Sequence, residues 1–377
     1  MTQQPGIFFT ILAFVLMIGP LVFVHELGHY LVGRWFGVKA DEFSIGFGRA
    51  IAGFTDKRGT YWKFGWLPLG GYVKFAGDMD PSSKPSTEWL SLPAEERAKT
   101  FQSKALWKRA LIVAAGPVTN FLLAIAILAG FAALYGVNRT PASVGAVSPN
   151  SVAAKAGLQA GDRITALGGR SMATFEDLVN YTVLRPDESI GIDFVRNGEM
   201  MHRDVVIGSR VAKDPSGGSV RVGFLGIGQP KPVWDRISLW EAPLVGVQRT
   251  GSAIQSTVDG LAQILSGRRS VKDLGGPMKI AQISGQSLAL GPDFFISLIA
   301  LISINLGFIN LLPVPVLDGG HLLFYGIEAI RRRPAEPQMM EWAFRGGLMA
   351  ILALMLLVTF NDLDGFGVWK NLAGLIS

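Results

Sequence analysis

Phe23-Val24-His25-Glu26-Leu27-Gly28-His29-Tyr30 closes an apolar run that begins near residue 6. Met1 to Val24 carries no charged side chain, and the apolar part is long enough for a membrane-spanning helix, which needs about 20 residues. Residues four apart share one helix face, so His25 and His29 can hold a single metal ion. Glu26 then stands near the open position of that metal, where it can take a proton from a bound water. An ionisable group at membrane depth costs about 2.5–3.5 kcal/mol on insertion scales. Three of them within five residues read as a site, not as the polar end of an ordinary helix.

Composition bounds the rest. With 377 residues, 49% of them hydrophobic and only 17% charged, the chain reads as a polytopic membrane protein carrying some soluble mass. It has no cysteine, which excludes disulfides and thiolate zinc sites. His25, His29, His202 and His321 are the whole histidine supply, and three of them fall in or beside motifs. The formal charge of +6 is spread along the chain and partly serves membrane topology, so no nucleic-acid partner is expected. The first apolar run lacks a basic start and ends in the His-Glu motif, so it reads as a span and not as a cleavable signal.

Four apolar segments stand out, near 6–30, 110–137, 294–324 and 343–360, the fourth short and edged by a snorkelling Arg345. Lys and Arg concentrate after the first segment, from Arg34 to Arg109, and after the third, at Arg331, Arg332 and Arg333. The positive-inside rule then sets both termini outside, and His25 toward the cytoplasmic end of its helix.

Residues 43–75 are rich in aromatics and glycine and suggest short strands broken by turns. They fit an interfacial aromatic belt. They fit equally a hairpin dipping toward the site, where Gly70, Gly71 and Tyr72 pair with an unwound substrate as an added strand. Residues 76–104 read as a polar loop with one short helix. In the second segment, Gly116-Pro117-Val118-Thr119-Asn120 predicts a kinked helix. Asn120 is there either locally satisfied or turned toward the metal site and its substrate.

From 141 to 210 the character changes to a soluble α+β domain. Its run from Val144 to Ile164 reads strand, turn, short helix, turn, strand, and contains Ala156-Gly157-Leu158-Gln159-Ala160-Gly161-Asp162-Arg163-Ile164. This resembles a PDZ domain of the bacterial protease-associated kind, with a second helix at Phe175–Thr182 and later strands at Gly191–Val195 and Asp204–Ile207. His202 reads as a surface residue of that domain. Within 211–293, Val211–Val222 reads as a linker or hairpin turn, and Leu239–Leu265 as an amphipathic helix lying against the outer membrane face or the bundle, or equally packed on the PDZ domain. The expected parts are thus 1–137, 141–210, 211–293 and 294–377.

The third segment ends Asn310-Leu311-Leu312-Pro313-Val314-Pro315-Val316-Leu317-Asp318-Gly319-Gly320-His321. Counted from the outside, Asp318 arrives at the level of His25 and His29. Two histidines, one carboxylate and water make an open tetrahedral zinc site. Pro313 and Pro315 break the helix and free backbone groups to bind a peptide, while the Asn310 amide can serve a developing oxyanion. His321 competes as third ligand, one turn on. Asp318 is preferred because it directly follows the double-proline break.

Taken in order, His-Glu-x-x-His, Gly-Pro-x-x-Asn, a PDZ pattern and Asn-x-x-Pro-x-Pro-x-x-Asp-Gly resemble the site-2 protease family of intramembrane zinc metalloproteases. The likeness is closest to the bacterial regulator of sigma-E protease group. It implies a membrane-reentrant hairpin near 60–75; together with the segments read above, the expected fold is four transmembrane helices with that hairpin and one extracytoplasmic PDZ domain, in the bacterial inner membrane. It implies zinc on His25, His29 and Asp318, with Glu26 as catalytic base or acid and substrate contacts from Asn310, Pro313 and Pro315. The substrates it implies are single-pass membrane proteins of the anti-sigma factor type, first trimmed outside by another protease, and remnant signal peptides. One departure is plain: the best-known members carry two PDZ domains in tandem. A heat-shock-type membrane zincin would need a downstream Glu ligand and no PDZ domain. A PDZ-bearing membrane adaptor with a structural metal site would need no Glu26.

Overall fold

Helix α1 (Ile7–Trp35) carries the His-Glu motif in one unbroken run of 29 residues. It stops where Gly37 takes φ 72° and the Val38 amide donates back to the Gly33 carbonyl at 2.9 Å. A glycine in that conformation closes off helix carbonyls without a side-chain clash. The computed structural model that shows this describes residues 5–77, 88–213, 219–268, 275–333 and 336–365.

The chain next forms a hairpin of β1 (Ala40–Thr55) and β2 (Tyr61–Phe75). Asp56 makes its turn by accepting from the Arg58 and Thr60 amides at 2.8 and 3.0 Å, as Asp side chains do in tight turns. The long strands fold back on themselves, so residues 42–45 pair with 71–74 on one side and 61–64 on the other. Residues 71–74 become the outer strand of a small curled sheet. Phe43, Val73 and Phe75 pack with Tyr30, Phe101 and Ile112 in one apolar cluster, fastening hairpin to helices.

Helix α2 (Leu106–Tyr135) contains Pro117 and lies close along α1. Lipid is as apolar as leucine, so helices there associate through small residues and close contact. Gly28 is one such residue: a Cβ on it would stand 2.5 Å from the Ala115 carbonyl oxygen. The Thr119 hydroxyl donates across to the Val24 carbonyl at 3.0 Å.

Two compact units emerge, one built on residues 1–128, 249–254 and 275–362, the other chiefly on 129–248 and 255–274. In the second lie β3 (Ala146–Val147), β4 (Arg163–Leu167), β5 (Arg170–Ser171), helix α3 (Phe175–Val183), β6 (Ser189–Arg196), β7 (Glu199–Val206), β8 (Gly208–Lys213), β9 (Ser219–Phe224) and β10 (Ile227–Gly228). The four-stranded sheet runs β5-β4-β6-β7, and β6 alternates buried with less buried residues, as a half-covered strand does. Thr174 and Asp177 cap α3 reciprocally. Ile164, Leu167, Leu178, Ile192, Phe194 and Ile207 fill the core. Leu225 joins that core and β10 pairs with β3, so this fold runs past residue 210, where the composition change places its end.

Helix α4 (Ala242–Leu265) follows, close to its expected span. Helix α5 (Pro277–Leu290) is not foreseen by the spacing analysis, and it sits in the helical unit beside α1. A Cβ on its Gly285 would stand 2.8 Å from Thr10 Oγ1. The third apolar segment is two helices, α6 (Pro292–Leu311) and α7 (Asp318–Arg331), parted by the prolines. The fourth is longer than expected, α8 (Pro337–Gly365), with an exposed Glu341–Arg345 pair, four apart and 2.6 Å across, near its start. Among the described residues four helices are long and apolar enough to cross a membrane: α1, α2, α6 and Gln338–Leu363 of α8.

Candidate active site

Three side-chain atoms converge. His25 Nε2 lies 3.3 Å from His29 Nε2, and Asp318 Oδ2 lies 3.2 Å from the first and 3.6 Å from the second. Bonds of about 2.0–2.1 Å from a tetrahedral ion put its ligand atoms roughly 3.3 Å apart. These spacings are those of a metal's ligands, and the buried Asp318 Oδ2 has no hydrogen-bond donor aimed at it. The donor set of two imidazoles and one carboxylate suits zinc.

The backbone explains why Asp318 arrives there. After Leu311 the Val314 amide turns back to the Leu312 carbonyl at 2.7 Å, and the Leu317 amide to Val314 at 3.1 Å. Val316 is held at φ 88°, a conformation a β-branched residue rarely adopts. The folded-back carbonyls leave no room for side chains on the next helix: a Cβ on Gly319 would stand 2.1 Å from the Leu312 oxygen, and one on Gly320 2.4 Å from that of Val314. Asp-Gly-Gly is therefore the start of α7 that such a turn permits.

A cavity of about 430 Å³ opens over these three side chains. His25, Glu26, His29, Asn310, Asp318, Gly70, Gly71 and Tyr72, all singled out from sequence, line it. Glu26 is buried, and a Cβ on Gly71 would come within 3.1 Å of its Cγ, so the outer strand of the curled sheet runs beside the Glu26 side chain. Pro313 and Pro315 do not line the cavity; Val316 and Leu317, from the turn they shape, do. Asn120 is not on the cavity wall either. It is wholly buried, with its side-chain nitrogen 3.0 Å from His25 Nδ1. His321 lines the cavity with its ring 4.9 Å from that of Phe344, and it stands outside the three-ligand group.

The sequence pattern of Peptidase family M50 matches residues 13–354. The chain belongs to peptidase family M50. This M50 peptidase is similar to a protein of Agrobacterium fabrum named as a candidate zinc metalloprotease, 46% identical over 94% of this chain and 95% of the relative. A like-named protein of Rhizobium meliloti is 42% identical over 94% and 96%. Metalloprotease MmpA of Caulobacter vibrioides is 34% identical over 99% and 100%. Among solved structures, the PDZ domain of an SdrC-like protein of Listeria monocytogenes covers 25% of this chain and 90% of its own, at 21% identity and a TM-score of 0.20, a likeness too slight to argue from.

Several residues of the M50 peptidase's site escape sequence reasoning. Phe47 and Val73 line the cavity, and Phe47 stacks on Tyr72 with ring centroids 5.9 Å apart. Gly46-Phe47-Gly48 among the aromatics was their signal. Gly116 faces His29, where a Cβ would stand 2.2 Å from Nε2, so Gly-Pro marks a close approach as well as a kink. The Ile112 carbonyl accepts from His29 Nδ1 at 2.9 Å, and no sequence signal reports a backbone oxygen.

Proposed function

We propose that this M50 metalloprotease is an intramembrane zinc protease of the site-2 type, hydrolysing peptide bonds within membrane-spanning segments of single-pass proteins. The observation that carries this reading is the set of three candidate ligand atoms at tetrahedral spacing, with His25, Glu26 and His29 on a helix apolar enough to span a membrane. His25, His29 and Asp318 would hold the zinc, which when bound would supply Lewis acidity to water and to a scissile carbonyl. Glu26 takes the proton of the attacking water and returns it to the leaving amine. Asn310 donates its amide hydrogen to the oxyanion. An intact helix hides its carbonyls, so the substrate is first unwound, and the outer strand at Gly70, Gly71 and Tyr72 pairs with the extended segment. This is the use we assign to a reentrant hairpin.

The finer reading follows the site-2 resemblance. The substrates are anti-sigma-factor-type proteins already trimmed by an upstream protease, or remnant signal peptides. The enzyme sits in a bacterial inner membrane with both termini and a PDZ domain outside. That domain excludes proteins with bulky outer parts. The test is cleavage of single-pass substrates in liposomes by the wild type and Glu26→Gln. The variant keeps zinc and loses cleavage; near wild-type cleavage by it sinks the mechanism. No cleavage by either, with zinc bound, favours an adaptor with a structural metal.

A further inference from the structure

We propose that Asn120 is a positioning residue for the metal centre: it turns its side-chain carbonyl, not its NH2 group, toward His25 Nδ1 and so reserves Nε2 for the ion. The inference rests on the metal-site reading above. A neutral imidazole has one protonated nitrogen and one with a free lone pair. Nε2 of His25 is the nitrogen that faces His29 and Asp318, at 3.3 and 3.2 Å. As a ligand it must carry the lone pair, which leaves the proton on Nδ1. That proton needs an acceptor, and the group 3.0 Å from Nδ1 is the Asn120 amide.

An amide can be turned end for end without changing its shape, so its hydrogen bonds decide which end faces which neighbour. With the nitrogen toward the ring, two donors would meet across 3.0 Å once Nδ1 is protonated, while Asn120 Oδ1 lies buried with no partner. Turning the amide exchanges which of its ends lacks a partner. The histidine settles the choice, because only the oxygen can accept from Nδ1–H. Asn120 is fully buried, and its own backbone carbonyl accepts from Ser303 Oγ at 2.8 Å, a bond that does not involve the side-chain amide.

His29 is the companion case. Its Nδ1 meets the Ile112 carbonyl at 2.9 Å, which can only accept, so Nε2 is left free for the ion. Both supports come from α2, a helix that contributes no ligand. Outer partners of this kind are worth about 10–100-fold in metal affinity.

The experiment is a chelator-competition titration of Zn2+ on the purified full chain, with melting temperature recorded in parallel. Asn120→Ala binds zinc about 10–100-fold more weakly. Asn120→Asp, whose carboxylate can only accept, binds as tightly as wild type or tighter. Ser303→Ala, which removes the backbone bond and spares the amide, binds as wild type. Wild-type affinity in Asn120→Ala overturns the proposal. So does an Asn120→Asp variant that melts like wild type yet binds as weakly as Asn120→Ala, since the NH2 group would then be what matters. Equal weakening in all three variants reduces Asn120 to packing. A wild-type chain that takes up no zinc removes the metal-site reading itself, and this inference with it.

Discussion

The helical unit and the α+β unit bury polar side chains to different ends. In the α+β unit, Ser151 accepts from the Ala154 amide at 3.2 Å, and the Thr182 hydroxyl donates to the Leu178 carbonyl at 2.7 Å. Asp162 accepts from Arg196 Nε and Nη2, both at 2.7 Å, and from the Gln159 amide at the same distance. Each of these bonds is completed within the unit and holds its backbone in place. In the helical unit, His25, Glu26 and Asn120 are buried together, and one end of the Asn120 amide and Asp318 Oδ2 have no hydrogen-bond partner. A buried polar group with its bonds complete is structure. Several packed together with bonds outstanding are chemistry waiting for another participant.

That contrast can be broken most sharply at the ligands. Asp318→Ala is expected to lose bound zinc and all cleavage, and His321→Ala to keep zinc, by elemental analysis of the purified variants. Glu26→Gln is expected to keep zinc while cleavage falls by about 10²–10⁴-fold, the usual worth of a proton carrier. Loss of zinc in Glu26→Gln would make it a ligand. Gly116→Ala forces a methyl into His29 Nε2 and is expected to weaken zinc by about 10–100-fold, as when a ligand's support is removed. An unchanged zinc affinity would mean that α1 and α2 part easily.

Effects on the α+β unit should appear in melting and leave zinc alone. Arg196→Ala strips the buried Asp162 carboxylate of its cation, and the unit should melt several degrees lower with full zinc retained. The smallest effect is on pH. The Arg196 guanidinium, with the Gln159 amide, holds the Asp162 carboxyl below its usual range despite burial. A carboxyl lowered on folding contributes stability that is whole above its unfolded value of about 3.9. That stability is lost as pH falls from there through the folded value. Melting curves between about pH 5 and 2 should therefore fall more steeply for wild type than for Arg196→Ala; parallel curves would show that the pair does not couple to folding.

How much of this was legible follows the range of each signal. His25, Glu26 and His29 lie within one helical turn, so their spacing is their geometry. Asp318 was legible because a double proline announces a break and depth could be counted. Spacing along one segment cannot report what another segment brings. That is why Gly116, the Ile112 carbonyl and the place of Asn120 behind His25 stayed hidden. The unusual conformation of Val316 belongs to the turn as a whole and has no side-chain signature. Helix α5 lacked a long apolar run because its small residues are shaped to α1, and β10 was missed because two residues pair only when β3 is already in place.

Helix α1 also acts as a ruler. From Ile7 to His25 is 18 residues, roughly 27 Å at 1.5 Å per residue, against a hydrocarbon thickness of about 30 Å. With Ile7 at one lipid boundary, His25 and His29 of the proposed metal site would fall near the other, on the margin of a few ångströms by which natural bilayers differ. A thinner bilayer lifts the site into water and a thicker one draws it under. For the hydrolysis proposed above, hydration of the centre, and with it the supply of the second reactant, would then be set by the lipids as well as by the protein.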